Sequence, residues 1–133
     1  MRVTIFFIFL ATYTISYGQK NDKISTIDFV QILNDNKEEA VYYYQNNWKV
    51  LRNMAIDKKY IHSFQILETQ ANEDAPFHLM LITTYLNEAQ YKLREDHFSE
   101  LIKEKGELKL LNDKKPGAFR KTLFSKERTL HWK

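Results

Sequence analysis

Apolar residues along this chain recur with two periods, and the places where the period switches mark out six elements. Residues 77–85 (FHLMLITTY) are apolar or β-favouring almost throughout, which predicts a strand buried on both faces and hence central in a sheet. Residues 24–33 (ISTIDFVQIL) and 60–69 (YIHSFQILET) are also rich in β-branched and aromatic side chains and predict two further strands. Between these two the period lengthens. Over residues 37–58, Tyr44, Trp48, Leu51 and Ala55 form one helical stripe, and Glu38 and Glu39 fall in the first turn, where the helix dipole favours acids. A second helix is expected over residues 87–105, with Asn87 as N-cap and Gly106 as the stop. Its inner side would carry Tyr91, Phe98, Leu101 and Ile102. The polar stretch 70–76 is short enough for a hairpin connection.

Beyond the break at Lys114-Lys115-Pro116-Gly117 the pattern is less decided. Residues 122–132 suit a last strand, with room for a helical turn before it, and whether residues 118–133 form a strand or a helix stays open at this point. The order strand, helix, strand, strand, helix, strand predicts an α+β ferredoxin-like βαββαβ sandwich. Its sheet would be antiparallel with two helices on one face, and the third strand would lie between the first and second.

The first residues change the picture. Arg2 precedes an apolar run over residues 3–15, and Ser16-Tyr17-Gly18 supplies small residues at cleavage positions, so residues 1–18 are expected to be a signal peptide. The run is too short for a bilayer that needs about 20 residues. The expected product begins at Gln19, carries no transmembrane anchor and is periplasmic or extracellular. Residues 19–133 are enough for a single domain, ending in a basic tail over residues 114–133. The chain has no cysteine, which removes disulfides, thiol chemistry and a bacterial lipid anchor from consideration. Its three glycines, at 18, 106 and 117, form no phosphate-binding loop, so nucleotide cofactors are not expected.

Four blocks, Trp48-Lys49-Val50-Leu51-Arg52, Tyr60-Ile61, Leu81-Ile82-Thr83-Thr84-Tyr85 and Glu95-Asp96-His97-Phe98, carry a likeness in pattern and order. Over residues 24–110 the chain resembles small exported proteins related to the dimeric α+β barrel superfamily, which includes the antibiotic-biosynthesis monooxygenases. The resemblance implies a homodimer whose two sheets enclose a shared barrel, with a small-molecule pocket between sheet and helices. Activities in that superfamily include cofactor-independent oxygenation, haem degradation and isomerisation. No catalytic residue carries over, because the likeness contains no diagnostic motif.

The candidate chemistry is sparse. If residues 70–76 close a hairpin, His78 faces residue 68 or 69 while His62 pairs near Thr84, so the two histidines are too far apart to share a metal. His97 has no histidine partner at helical spacing, and no metal or other cofactor is expected. Glu95 and Asp96 are adjacent on a helix and diverge, which does not suit an acid–base pair. Arg52 and Glu95 each border an apolar stripe and could form an ion pair between the helices. Aromatic residues are plentiful, and they suggest a ligand pocket lined by Tyr44, Trp48, Arg52, Tyr85 and Tyr91, against the plainer account that the rings fill a core or an interface. His97, Tyr85 and His78 are the candidates for catalysis if there is any.

Charge is uneven: residues 114–133 hold seven Lys/Arg and one acid, Glu127, whereas the body before them is net acidic. The tail is therefore expected to dock on its own chain or on a dimer mate, burying Phe119, Leu123, Phe124, Leu130 and Trp132. Export argues against nucleic acid as a partner. The leading expectation is an exported homodimeric module that binds a small apolar or aromatic ligand. A cofactor-independent oxygenase or isomerase, and a structural or interaction protein without a ligand, stand as alternatives.

Overall fold

The computed structural model describes residues 21–133. The signal peptide expected over residues 1–18 and the cleavage point before Gln19 lie outside the described residues. Four strands, β1 (Ile24–Ile32), β2 (Ser63–Glu68), β3 (Leu79–Tyr85) and β4 (Arg120–Leu130), form one sheet in the order β2-β3-β1-β4. All three pairings are antiparallel. The third strand therefore lies between the first and second, the ferredoxin-like order that the sequence pattern predicts. The β2–β3 hairpin sets Ser63 opposite Thr84 and Glu68 opposite Leu79, close to the register inferred from the 70–76 loop.

The first helical segment is continuous from α1 (Lys37–Tyr43) through a π-helical turn (Tyr44–Trp48) into α2 (Lys49–Asp57). Two asparagines stabilise the wide turn. Asn46 Nδ2 donates to the Tyr42 carbonyl and Asn47 Nδ2 to the Tyr43 carbonyl, both at 2.9 Å. Asn47 is 2% exposed and fully occupied, since its Oδ1 also accepts from Lys105 Nζ and the Lys109 N–H, each at 2.8 Å. The second segment breaks at Leu93 into α3 (Glu88–Lys92) and α4 (Arg94–Lys105). Asn87 caps α3 by accepting from the Gln90 N–H, and Gly106 ends α4 at φ +81°, where a side chain would be strained. A short helix, α5 (Pro116–Phe119), leads into β4.

Side-chain parity fixes the layers. Ile24 and Val30 of β1 and Leu79, Leu81 and Tyr85 of β3 share one face, and they pack against Tyr44, Trp48, Ala55, Tyr91 and Leu101 from the helices. Both helical segments therefore cover the same face. The expectation that β3 is buried on both faces is corrected here. Its inward residues are buried, but Met80 and Ile82 on the other face are half-exposed, because no helix lies on that side. That open face also holds Ile27 and Phe29, with the Phe29 ring 4.5 Å from the Phe124 ring and 4.8 Å from the Phe77 ring.

The barrel expectation is also corrected. The sheet is open, with β2 and β4 as its two edges. Four strands twisting by about 20–25° per neighbour do not turn far enough to meet, and closure requires about eight strands.

The tail is a strand, and it docks differently from the expected way. Of the five apolar side chains proposed to bury it, only Phe119 is fully enclosed, while Phe124 is 45%, Leu130 48% and Trp132 94% exposed. The docking runs through the β1–β4 ladder instead, because most side chains of this charged edge strand are exposed and its backbone meets the body. A bulge opposite Thr26 places Arg128 at φ +52°. Arg128 there reaches Glu88 at 2.8 Å, and its neighbour Glu127 reaches Arg94 at 3.6 Å, joining β4 to α3 and α4.

The start of α1 is tied to the loop before α5. Lys114 Nζ donates to Glu39 Oε1 at 2.9 Å and Asn112 Nδ2 to the same oxygen at 3.3 Å. These bonds, with Lys114 as the largest contributor, hold the Glu39 carboxyl below the ordinary carboxylate range. A carboxyl whose pKa is lower folded than unfolded stabilises the fold fully above its unfolded pKa, and that stabilisation is lost as pH falls through the folded value. Glu39→Gln is thus expected to flatten the acid side of a plot of Tm against pH, while leaving Tm nearly parallel to the parent's at neutral pH. Parallel curves for both proteins down to about pH 3 would rule out this linkage.

Candidate functional site

Spacing along the first helical segment turns Tyr44, Trp48 and Ala55 toward the sheet, and Trp48 meets Phe64 of β2 edge-on with ring centroids 5.7 Å apart. This aromatic pair is a wall with different surroundings on its two sides. Toward the β2 edge lies a cleft of about 400 Å³. Its floor is Val41, Tyr44, Phe64, Ile66 and Leu79, and its rim carries Gln45, Lys49, Gln65 and Glu68. Burial pushes the Tyr44 phenol well above its ordinary range, so it is a neutral hydroxyl at physiological pH. Volume and lining together suit a small, mostly apolar molecule.

On the other side of Trp48 is Arg52. Its guanidinium carbon sits 4.1 Å from the Trp48 ring centroid and 4.3 Å from that of Phe98, and Nε donates to Thr83 Oγ1 at 3.2 Å. Burial lowers its pKa to about 10, the direction expected of a cation removed from water. The Arg52–Glu95 ion pair foreseen from the sequence does not form among the described residues. Glu95 is exposed, while Arg52 turns inward to the rings. A stacked guanidinium keeps its charge against two ring faces and loses little by forgoing a surface carboxylate.

The remaining candidates are dispersed. Tyr85 packs on Tyr91 with ring centroids 5.5 Å apart in the core cluster at the Ile24 end of the sheet. Burial raises the Tyr85 phenol above its usual value, and Arg52 acts in the opposite sense. His97 stacks flat on Tyr60 at 3.6 Å and not on Trp48, with Nδ1 buried and without a partner. His78 lies at the opposite end of the sheet. Its Nδ1 accepts from the Ile32 N–H at 3.0 Å, which assigns the proton to Nε2, and it borders an open depression of about 510 Å³ with Asp35, Lys37 and Glu68. The structure thus brings Trp48, Arg52 and Tyr44 together, joins Tyr85 with Tyr91, sets His97 beside that second cluster through Tyr60, and leaves His78 apart from both groups. No group of three or more His, Asp or Glu side chains able to hold a metal ion occurs among the described residues. No described helix is long and apolar enough to cross a membrane.

Several contributors were not singled out by sequence reasoning: Phe64, Ile66, Asp28 and Thr83. A signal for the last two was present. Thr26, Asp28 and Thr83 interrupt the inward-facing apolar alternation, and the register sets Thr26 opposite Thr83. The core accordingly divides into two clusters, one at each end of the sheet, with a polar zone between them.

No protein-family model matches the chain, and no curated protein matches it. Among solved structures, the crystal structure of HapK from Hahella chejuensis aligns with 80% of this chain and 92% of its own at 12% identity, with a TM-score of 0.46. At that distance the likeness bears on neither ligand nor activity.

Proposed function

We propose that this chain is an exported binding module that holds a small apolar or aromatic molecule in the cleft between the first helical segment and β2. One observation carries the reading: a cleft of about 400 Å³ whose floor is five apolar or aromatic side chains and whose polar groups sit at the rim. The Tyr44 hydroxyl, two rim amides and the charged ends of Lys49 and Glu68 are the polar groups that orient a ligand there. The reading includes a homodimer, in which a second copy covers the exposed sheet face. Ile27, Phe29, Met80 and Ile82 are half-exposed there, and Phe124 is 45% and Leu67 39% exposed.

Native mass spectrometry of the protein purified from its own host tests all three parts at once. The expected species is a dimer of chains beginning at Gln19 that carries a non-covalent small molecule. Ile66→Trp, which fills the cleft from the edge strand, is expected to cut occupancy by about tenfold or more while leaving the dimer intact. An empty native protein, or undiminished occupancy in Ile66→Trp, would sink the cleft as the binding site.

A further inference from the structure

Arg52 poses a question that packing alone does not answer. Its Nε is committed to Thr83, yet among the described residues its two Nη groups have no hydrogen-bond partner and no carboxylate lies within ion-pair distance. The guanidinium lies between two rings yet is only partly screened from water, and a charge so placed gains from a partner that offsets its lost hydration. The acid on the facing strand is Asp28, whose Oδ1 is occupied by the Ser125 hydroxyl at 2.6 Å. Asp28 is also the one carboxylate that acts on Arg52, and it shares the helix-covered face with a second arginine. That second arginine, Arg120, has a buried Nε without a partner, and its Nη2 reaches only the Tyr43 hydroxyl, at 3.4 Å. The nearby Arg94 is already paired with Glu127. The middle of this face therefore holds one guanidinium, that of Arg52, without an ion pair and one carboxylate, that of Asp28, in a polar zone between two apolar clusters, while Arg120 lies at the Ile32 end of the sheet.

The zone is open to solvent. Thr26 and Asp28 are half-exposed although Ile24 and Val30, on the same face of the same strand, are buried, and Arg52 and Phe98 are half-exposed as well. Trp48 and Phe98 restrict the guanidinium from two sides and Thr83 anchors one edge. Little side-chain entropy remains to be lost when the free edge acquires a partner. A fixed fork of N–H donors matches a carboxylate, which accepts two parallel charge-assisted hydrogen bonds, and the flanking rings accept an aromatic or aliphatic body.

We propose that Arg52 is a carboxylate-binding residue, and that the free Nη edge of its guanidinium, between Trp48 and Phe98, receives the carboxylate of a small organic acid. This site lies across the Trp48–Phe64 wall from the cleft and stands independently of the ligand assigned there.

The side-chain N–H resonance of Arg52 reports on the site directly, and its absence from the spectrum of Arg52→Lys assigns it. Matched fragments serve as probes: benzoate against benzamide, and indole-3-carboxylate against its amide. Each is titrated to about 10 mM, a range suited to fragment affinities. The expected result is a saturable shift of the Arg52 Nε–H signal with the acids and at least tenfold weaker binding of the amides. The shift should appear equally in Ile66→Trp, whose blocked cleft lies on the other side of the wall. Equal response to acid and amide would overturn the proposal, as would no response to any of the four. In either case the rings and Thr83 would account for Arg52 as a packing element. Failure here leaves occupancy of the cleft untouched, and an empty cleft leaves this titration unchanged.

Discussion

Phe119→Ala is expected to destabilise the protein by about 3–5 kcal/mol, the range for truncating a fully buried aromatic ring. Phe119 is 0% exposed and its ring centroid lies 5.5 Å from that of Tyr43, so removal leaves a cavity between α5, α1 and the sheet. Collapse into that cavity is resisted by hydrogen bonds on the backbone around it. The Leu33 N–H donates to the Phe119 carbonyl at 2.9 Å, and the side chains of Asn34 and Asn36 donate to the Ala118 carbonyl at 3.2 and 3.1 Å. Measured against a total stability of about 5–15 kcal/mol, the loss is a large fraction of the whole. Urea unfolding should show a lower midpoint with an unchanged slope. Phe124→Ala is the internal control, because Phe124 is 45% exposed and contributes mainly its stack on Phe29, about 1 kcal/mol. Equal losses from the two substitutions would show that Phe119 is not the tail's anchor.

Deletion of residues 120–133, which spares Phe119, is expected to abolish cooperative unfolding. β4 pairs with β1 along its whole length, from Leu130 opposite Ile24 to Arg120 opposite Ile32. Without it β1 becomes an edge, and the inward side chains of a three-stranded remnant lose one flank. The charges of the tail contribute little to this. Arg128, Glu88 and Glu127 are exposed to water, which screens their ion pairs and leaves them little net stabilisation. The loss should therefore persist in about 1 M salt, where the screening length is about 3 Å. Thermal melts of the truncated chain at low and high salt provide the check. A melting temperature equal to the parent's would show that the ladder adds nothing to stability, and a defect seen only at low salt would return the tail to electrostatics.

These two expectations rest on different parts of what could be foreseen. The tail's basic excess was legible, and so was the presence of Phe119, but charge and hydrophobicity alone suggested that five side chains bury the segment. Only the tertiary structure distinguishes Phe119, enclosed at the end of α5, from Phe124, Leu130 and Trp132, which are 45%, 48% and 94% exposed. The same limit applies to Arg52. Its position one turn after Trp48 was visible, but whether the guanidinium meets Glu95 or lies between two rings depends on where α2 and α4 cross the sheet. Sequence separation does not encode that distance.

The sequence by itself determined the first three strands, the two helical segments and their order, because periods of about 2 and 3.6 residues, the Asn87 cap and the Gly106 stop are local properties of the chain, while it left residues 118–133 open between strand and helix. It also determined that the third strand lies inside the sheet, since a run as apolar as residues 77–85 is poorly suited to an edge. Tertiary structure alone decided that both helical segments share one face, leaving the other face of β3 half-exposed. It alone decided that the sheet stays open, that the first helix widens into a π turn at Tyr44, and that the cleft opens toward β2 rather than among Tyr85 and Tyr91. Each of these depends on how residues distant in the chain approach one another, and the free energy of that approach resides in packing between elements, which no local pattern contains.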